Sequence, residues 1–311
     1  MVQGASLGNL WRAKIFFDKS EGDRGAMASS DGFYLNYFNL DQRPFTLLPD
    51  PGFMYWSPLH KRGYSILQFG IMSCAPITVL TGEIGAGKTT LIQHLLKDME
   101  ESITVGLISN AQGGRGELLQ WVMHALGLPF EKDAAYVQLF QALQEFLVSE
   151  YAQGRRVVLI FDEAQNLTVE GLEEIRMLTN INANTDELIQ LVLVGQPELR
   201  DMVLDPKMRQ LTQRVAASFH LERMDAPSVE SYIRHRMKVA GGTGDEFTEE
   251  ACKLIFEKTR GVPRLVNQLC DFTLLYAWTN ETKNVDEDTV QQVIDDGVFF
   301  GGNSLEKELT D

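Results

Sequence analysis

The chain has 311 residues, of which 44% are hydrophobic and 23% are charged, and its formal net charge is −15 at pH 7. A chain of this length and apolar content can bury a substantial core, so the composition argues against a protein that is disordered throughout. The negative charge repels polyanions and argues against a nucleic-acid binder with a wholly basic surface, although a local basic patch is compatible with it.

The first 30 residues are rich in glycine, serine and charge, which predicts a poorly ordered extension. They lack the continuous apolar core of a signal peptide, and no stretch of the chain reaches the roughly 18 apolar residues that cross a bilayer. Three scattered cysteines suit a reducing compartment and not a disulfide framework. We therefore expect a cytoplasmic protein that reaches the inner membrane only through partners.

Residues 33–60 are rich in aromatic residues and proline, which favours an extended strap laid over a core. A helix is predicted over 57–70, because Ser57 is a good N-cap and Pro58 suits the first turn.

Short apolar runs then alternate with helical patterns as far as residue 224. The predicted strands begin at Thr78 and cover 103–108, 157–161, 189–194 and 217–221. The predicted helices cover 116–126, 135–151, 169–178 and 207–215. This alternation is typical of an α/β fold in which helices flank a parallel sheet.

Beyond Met224 the sequence contains helical patterns alone, beginning near Asp225, Thr248, Pro263 and Asp286. They predict a small all-helical domain attached to the α/β domain. The expected organisation is an extension (1–30), an α/β nucleotide-binding domain with the strap (31–224), a helical lid (225–299) and an acidic tail (300–311).

A glycine-rich turn, Gly82-x-x-x-x-Gly87-Lys88-Thr89, lies between the first strand and a helical pattern. Backbone N–H groups can wrap a phosphate where Cβ atoms are absent, and the helix N-terminus adds partial positive charge. A cation such as Lys88 is unfavourable in the first turn of a helix, because it opposes the helix dipole, unless an anion lies beside it. We therefore predict an ATP site with Mg²⁺ on the Thr89 hydroxyl. The predicted cradle consists of Gly82, Glu83, Ile84, Gly85, Ala86, Gly87, Lys88, Thr89 and Thr90.

The apolar strand 157–161 ends in two acids, Asp162 and Glu163. Ligands bind at the carboxyl ends of strands in open α/β sheets, so these acids should lie beside the phosphate loop. Asp162 is predicted to hold Mg²⁺, and Glu163 to polarise the water that attacks the γ-phosphate. The alternative is a pair of solvated acids at a strand end.

Three further polar residues are candidates for the same site. Gln196 follows strand 189–194, where its amide could contact the γ-phosphate or the attacking water, or simply form a turn. Arg214 could reach a neighbouring subunit as an arginine finger, with Arg209 as the alternative finger and a surface ion pair or helix-end charge as the competing role. Arg264 lies in the first turn of a lid helix, which favours an anionic partner.

Taken in order, these motifs resemble the AAA+ ATPases of the general secretion pathway A family, over roughly residues 33–298. Residues 162–167, 195–199, 211–214 and 261–264 carry the resemblance together with the phosphate loop and the strap. The sequence is also similar to ATPases that are found with exosortase and exopolysaccharide clusters. Longer family members continue into a membrane span and a peptidoglycan-binding domain, so we expect the short pilus-biogenesis or exosortase-associated relatives to be closer in layout.

The resemblance implies an interposed strand order, a helical lid and a ring or arc of subunits, six in a ring. It implies Walker A at Lys88 and Thr89, Walker B at Asp162 and Glu163, sensor 1 at Gln196, a finger at Arg214 and sensor 2 at Arg264. Sensor 1 is asparagine in many AAA+ proteins. Phe45 or Tyr55 of the strap would line an adenine pocket, with core packing as the alternative.

The leading hypothesis is an ATPase that drives assembly or remodelling of a secretion, pilus or exopolysaccharide-export system through protein partners. The alternative is a DNA-binding regulator similar to the TniB/TnsC transposition ATPases. A local basic face would then come from Arg209, Arg214, Arg234, His235, Arg236 and Lys238. A third hypothesis is a nucleotide-gated scaffold that barely hydrolyses ATP.

Overall fold

The computed structural model describes residues 34–109, 117–131, 133–183 and 186–301. The predicted extension at 1–30 and all but the first two residues of the predicted tail lie outside these ranges. None of the helices within them is both long and apolar enough to cross a lipid bilayer.

A parallel sheet forms the centre of the α/β part. Within the described residues it has five strands in the order β2-β3-β6-β1-β7. Strands β4 and β5, of two residues each, form a separate antiparallel pair, called the hairpin β4–β5 below. The strands are β1 (Ile77–Gly82), β2 (Ile103–Ser109), β3 (Arg156–Asp162), β4 (Asn182–Ala183), β5 (Asp186–Glu187), β6 (Ile189–Gly195) and β7 (Val215–Leu221). The predicted interposed order is confirmed, because β6 lies between β1 and β3 and so brings the carboxyl ends of these strands to one edge.

Helices cover the faces of this sheet. They are α2 (Pro58–Met72), α3 (Lys88–Asp98), α4 (Glu117–Ala125), α5 (Tyr136–Ala152), α6 (Val169–Leu178), α7 (Pro197–Leu204) and α8 (Arg209–Thr212). The four-residue α1 (Leu35–Phe38) lies in the strap and packs with the lid helices. The central strands β1, β3 and β6 are almost wholly buried, which explains their continuous apolar runs.

Sequence reasoning missed several short elements and misplaced another. Helices α1 and α7, the hairpin β4–β5 and the 3₁₀ turns at Pro51–Phe53 and Ala164–Asn166 were not predicted. The helix predicted over 207–215 is a 3₁₀ turn followed by the short α8, and β7 begins at Val215, two residues before the predicted start. Short elements lack the two or three turns of periodicity on which a sequence prediction depends.

The four predicted lid helices are present in the described residues, as α9 (Ala226–Val239), α10 (Glu249–Thr259), α11 (Pro263–Thr279) and α12 (Glu287–Asp295). Three begin after a side-chain cap, because Asp225, Thr248 and Asp286 each accept a hydrogen bond from a first-turn backbone N–H. Helix α11 has Pro263 in its first turn instead.

The strap packs mainly on the lid, although Met54 and Trp56 near its end pack against the cluster that contains the sheet residues Leu80 and Ile160. Its aromatic residues Tyr34, Phe38, Phe45 and Phe53 belong to the same buried cluster as the lid helices. The buried Arg236 of α9 fixes the strap further, because its Nε donates to the Pro44 carbonyl at 2.5 Å and its guanidinium lies 4.7 Å from the Phe53 ring centroid. The predicted domain boundary at residue 224 stays a prediction.

The chain turns from the sheet into the lid beside Gly261. Gly261 has a φ of +73°, and its carbonyl accepts a hydrogen bond from the Met224 N–H at 3.0 Å. A Cβ at this position would lie 1.9 Å from the Met224 carbonyl oxygen. Glycine is therefore required here both by conformation and by close approach.

Gly261→Ala should lower the free energy of unfolding much more than Gly154→Ala. Gly154 has a similar φ of +71°, but no atom lies within 4 Å of its virtual Cβ. Gly154→Ala should cost about 1–2 kcal/mol from the left-handed backbone alone, and Gly261→Ala about 1–3 kcal/mol more from steric overlap. Urea unfolding of both variants measures the difference, and equal losses would contradict the close contact between Gly261 and Met224.

Candidate active site

The phosphate loop follows β1 and ends at the first turn of α3. Gly85 and Gly87 have φ values of +79° and +98°. A Cβ at Gly85 would lie 2.7 Å from the Arg264 Cβ, and one at Gly87 would lie 2.9 Å from His60 Nε2. The loop therefore needs glycine to fit between the lid and helix α2.

Lys88 is buried at the base of this loop, where 6% of the residue is exposed. Its Nζ donates to the carbonyls of Gly82 at 2.7 Å and Glu83 at 2.9 Å. Burial lowers the pKa of Lys88, and the nearby carboxylates, first Glu163 and then Asp162, oppose that shift. An ammonium has three N–H donors, so one is left for an anion such as a phosphate oxygen.

Thr89 and Asp162 place two oxygen atoms side by side. Thr89 Oγ1 donates to Asp162 Oδ2 at 3.2 Å. Burial raises the pKa of Asp162, whereas its hydrogen bonds and the charge of Lys88 lower it. Hydroxyl and carboxylate oxygens are the ligands that Mg²⁺ prefers, so this pair fits the predicted metal.

Glu163 follows β3 and shares the cleft with Gln196. Gln196 Nε2 donates to Glu163 Oε2 at 3.2 Å. Glu163 has φ 55° and ψ 38°, a left-handed conformation that is uncommon for a residue with a Cβ. Such strained residues concentrate at functional sites, which agrees with the role predicted for Glu163.

One cleft brings together residues from the strap, the sheet and the lid. It is lined by Thr46, Leu47, Leu48, Pro49, Ile84, Gly85, Gly87, Lys88, Thr89, Thr90, Glu163, Gln196, Tyr232, Pro263, Arg264 and Asn267. Most of the predicted site residues are in this set. Three residues of the predicted cradle are not. Gly82 ends β1, the Glu83 carboxylate pairs with Arg223 at 3.1 Å, and Ala86 is buried.

The strap contributes to the cleft through different residues from those predicted. Phe45 is buried against Phe247, and Tyr55 packs against Tyr232 and His235. Both are packing residues, which was the alternative given for them. The strap segment 46–49 lines the cleft instead.

A family model described as an AAA domain matches residues 72–203 of this chain. The chain is also similar to the general secretion pathway protein A of Aeromonas hydrophila, with 35% identity over 252 residues. The match covers 81% of this chain and 46% of that protein, so the chain spans about half of its relative's length. The chain therefore carries an AAA domain over these residues. The resemblance to the general secretion pathway A family is confirmed.

Solved structures support the AAA+ fold. The Aeropyrum pernix ORC2 protein in ADPNP and ADP complexes has a TM-score of 0.58 and 17% identity, with 78% of this chain and 71% of that chain covered. Drosophila ORC bound to DNA has a TM-score of 0.62 and 16% identity, with 93% and 70% covered. Identities this low show the fold alone.

Arg214 makes its contacts within its own chain. Its guanidinium donates to the Thr179 carbonyl at 2.9 Å and to Asn180 Oδ1 at 2.5 Å, and it lies 4.0 Å from Glu187. It thus stabilises the C-terminal end of α6, where a cation is favourable. Arg209 is exposed on α8. Which of the two acts as a finger stays a prediction.

The basic face considered for DNA binding is divided among separate contacts. Arg236 is buried beneath the strap. Arg234 pairs with Glu230 and Asp245, at 3.0 and 2.6 Å, and His235 packs against the Tyr55 ring. These three residues are therefore unavailable for an open basic surface, which weakens the DNA-binding alternative.

His60 is a residue of the site that sequence reasoning missed. Its Nε2 lies 3.1 Å from the Ala86 carbonyl in the phosphate loop, and its Nδ1 lies 2.7 Å from Ser57 Oγ. A carbonyl can only accept, so Nε2 carries the proton and Nδ1 accepts from the serine hydroxyl. The available signal was a histidine at helical spacing with Tyr64 and Leu67, on the buried face of the predicted helix.

His60 should make the stability of the protein sensitive to acid. Burial lowers the pKa of His60, although the bond to Ala86 opposes the shift. As pH falls below the ordinary histidine value of about 6.5, the unfolded chain gains a proton first, so the free energy of unfolding falls by at most about 1.4 kcal/mol per pH unit. His60→Gln should reduce this loss.

Urea unfolding at about pH 7.5 and about pH 5.5, on either side of that value, tests the prediction. His124→Gln is the matched control, because His124 is exposed on α4. The same acid-induced loss in the wild type and in His60→Gln would show that His60 does not carry the effect.

Proposed function

We propose that this chain binds ATP with Mg²⁺ and hydrolyses it. The observation that carries the proposal is that Lys88, Thr89, Glu163 and Gln196 line one cleft. Lys88 is placed to neutralise phosphate charge, and Glu163 is the acid in reach of a water beside the phosphates. Mg²⁺ held by Thr89 and Asp162 would neutralise the charge that develops on the phosphate oxygens.

Phosphate release by the purified chain tests this proposal directly. We expect release from ATP in the presence of Mg²⁺ and background rates after chelation by EDTA, because the metal supplies charge neutralisation that the described side chains alone do not. Equal rates with and without the metal would contradict the proposal.

We further propose that hydrolysis drives assembly or remodelling of a secretion, pilus or exopolysaccharide-export system. The support is the 35% identity to general secretion pathway protein A. The test is complementation in the organism that encodes the chain. Wild type should restore the defective export of a deletion strain, and Glu163→Gln should not. If Glu163→Gln restored export, the cellular role would not require ATP hydrolysis.

The proposal includes a ring or arc of subunits, six in a ring, in which an arginine of one subunit reaches the nucleotide of the next. The support is the position of Arg209 and Arg214 around the short helix α8, with Arg209 exposed. Light scattering with and without ATP and Mg²⁺ tests assembly. In the assembled protein, replacement of the true finger by alanine should lower turnover about 10³-fold or more. A monomer with full activity would contradict this part.

A further inference from the structure

Gln165 joins two parts of the site that sequence reasoning treated separately. It lies in the 3₁₀ turn Ala164–Asn166, directly after the acids of β3. We propose that Gln165 is a positioning residue for hydrolysis, which holds the Glu163 carboxylate in a fixed orientation against the end of β6. This inference rests on the proposed ATP hydrolysis.

Three hydrogen bonds connect Gln165, Glu163 and Gln196 in a closed triangle. Gln165 Nε2 donates to Glu163 Oε2 at 2.6 Å. Gln165 Oε1 accepts from the Gln196 backbone N–H at 3.0 Å. The Gln196 side chain closes the triangle with its bond to Glu163 Oε2 at 3.2 Å. Both ends of one amide are therefore used, which fixes its rotation and its reach.

The surroundings leave this amide little freedom. Ala164, the residue before it, is 1% exposed. On the other side, a Cβ at Gly195 would lie 2.8 Å from Gln165 Oε1. Glycine at the end of β6 is thus what lets the amide lie against the strand. The Gln165 side chain thus contacts both the Gln196 backbone and the Glu163 carboxylate, so it sets the positions of these two residues relative to each other.

The bonds assign different tasks to the two oxygens of Glu163. Both amide donors bind Oε2, and neither bond uses Oε1. A carboxylate held in this way presents Oε1 at a defined angle, which is what a base needs in order to take a proton from a water. Gln165 itself is absent from the residues that line the cleft, whereas Glu163 and Gln196 line it. Its loss should therefore change the chemical step and leave nucleotide binding nearly intact.

The test compares Gln165→Leu with the wild type. We expect kcat to fall about 10- to 100-fold, the scale of a misplaced catalytic group, and the calorimetric Kd for ATP with Mg²⁺ to stay within about threefold. Gln141→Leu is the matched control, since Gln141 also donates to a glutamate, Glu145, at 2.9 Å, but on the exposed face of α5. This control should leave both constants unchanged.

Double substitution separates positioning from a structural role. In a Glu163→Gln background, Gln165→Leu should cause no further fall in kcat, because residues that act as a unit are not additive. A further fall of the same size would overturn the inference, as would a wild-type kcat for Gln165→Leu. If Gln165→Leu fails to fold, Gln165→Glu keeps the size, replaces the donor with a repelling carboxylate, and should lower kcat at least as much.

The outcomes distinguish this inference from the proposed function. Wild-type turnover that depends on Mg²⁺ and on Glu163, together with full activity in both Gln165 variants, overturns the role of Gln165 alone. No turnover in the wild type overturns both.

Discussion

Glu163→Gln should lower the kcat for ATP hydrolysis by about 10² to 10⁴, the usual contribution of a general base. The glutamine keeps the size of the side chain and its amide oxygen can still accept one hydrogen bond, but it cannot take a proton from water. The Kd for ATP with Mg²⁺ should stay within a few fold, because Lys88 and Thr89 are unchanged. Steady-state phosphate release and calorimetry measure the two constants.

The matched control for this variant is Glu170→Gln. Glu170 lies in the first turn of α6 and is exposed. The Glu170→Gln substitution removes the same charge at a position outside the cleft, so kcat should not change. Unchanged turnover in Glu163→Gln would show that Glu163 is not the base, and a large loss of binding would point to a structural role.

Lys88→Ala should weaken ATP binding by about 10- to 100-fold or more. Hydrogen bonds to charged groups contribute about 1.5–3 kcal/mol each, and about 1.4 kcal/mol is a factor of ten in Kd. We expect the nucleotide-free variant to remain folded, because removing the buried ammonium also removes its desolvation cost. Calorimetry gives the Kd, and circular dichroism on heating gives the midpoint of unfolding.

Lys97→Ala is the control on the same helix. Lys97 lies in the last turn of α3 and is exposed. Its loss should cost only a few tenths of a kcal/mol of helix stability and leave the Kd unchanged. Equal affinity of the wild type and Lys88→Ala for ATP would remove the basis for a phosphate site in the glycine loop.

The motifs of the candidate site were predictable because their chemistry is local in sequence. Six residues after Gly82, Lys88 reaches back to the Gly82 carbonyl, a distance that the loop and the first helical turn fix by themselves. The acids Asp162 and Glu163 end a strand whose apolar run is unmistakable. The lid helices were predictable because each begins at a recognisable N-cap or proline.

Contacts across long sequence separations were not predictable. The bond of Gln196 to Gln165 spans 31 residues, and that of His60 to Ala86 spans 26. Arg214 illustrates the same limit, since its sequence context favours a finger and a helix-end charge about equally. The partners in its own chain, Thr179 and Asn180, are visible only after α6 and α8 have packed together.

The sequence by itself determined the phosphate loop, the acid pair and the division into a parallel α/β part and a helical part, because turn chemistry and hydrophobic periodicity act over a few residues. The tertiary structure alone decided that the strap packs on the lid, that His60 supports the loop and that Gln165 holds Glu163. These pairings depend on which buried surfaces meet when the elements pack, and close packing selects among partners that a pattern along the chain leaves equivalent.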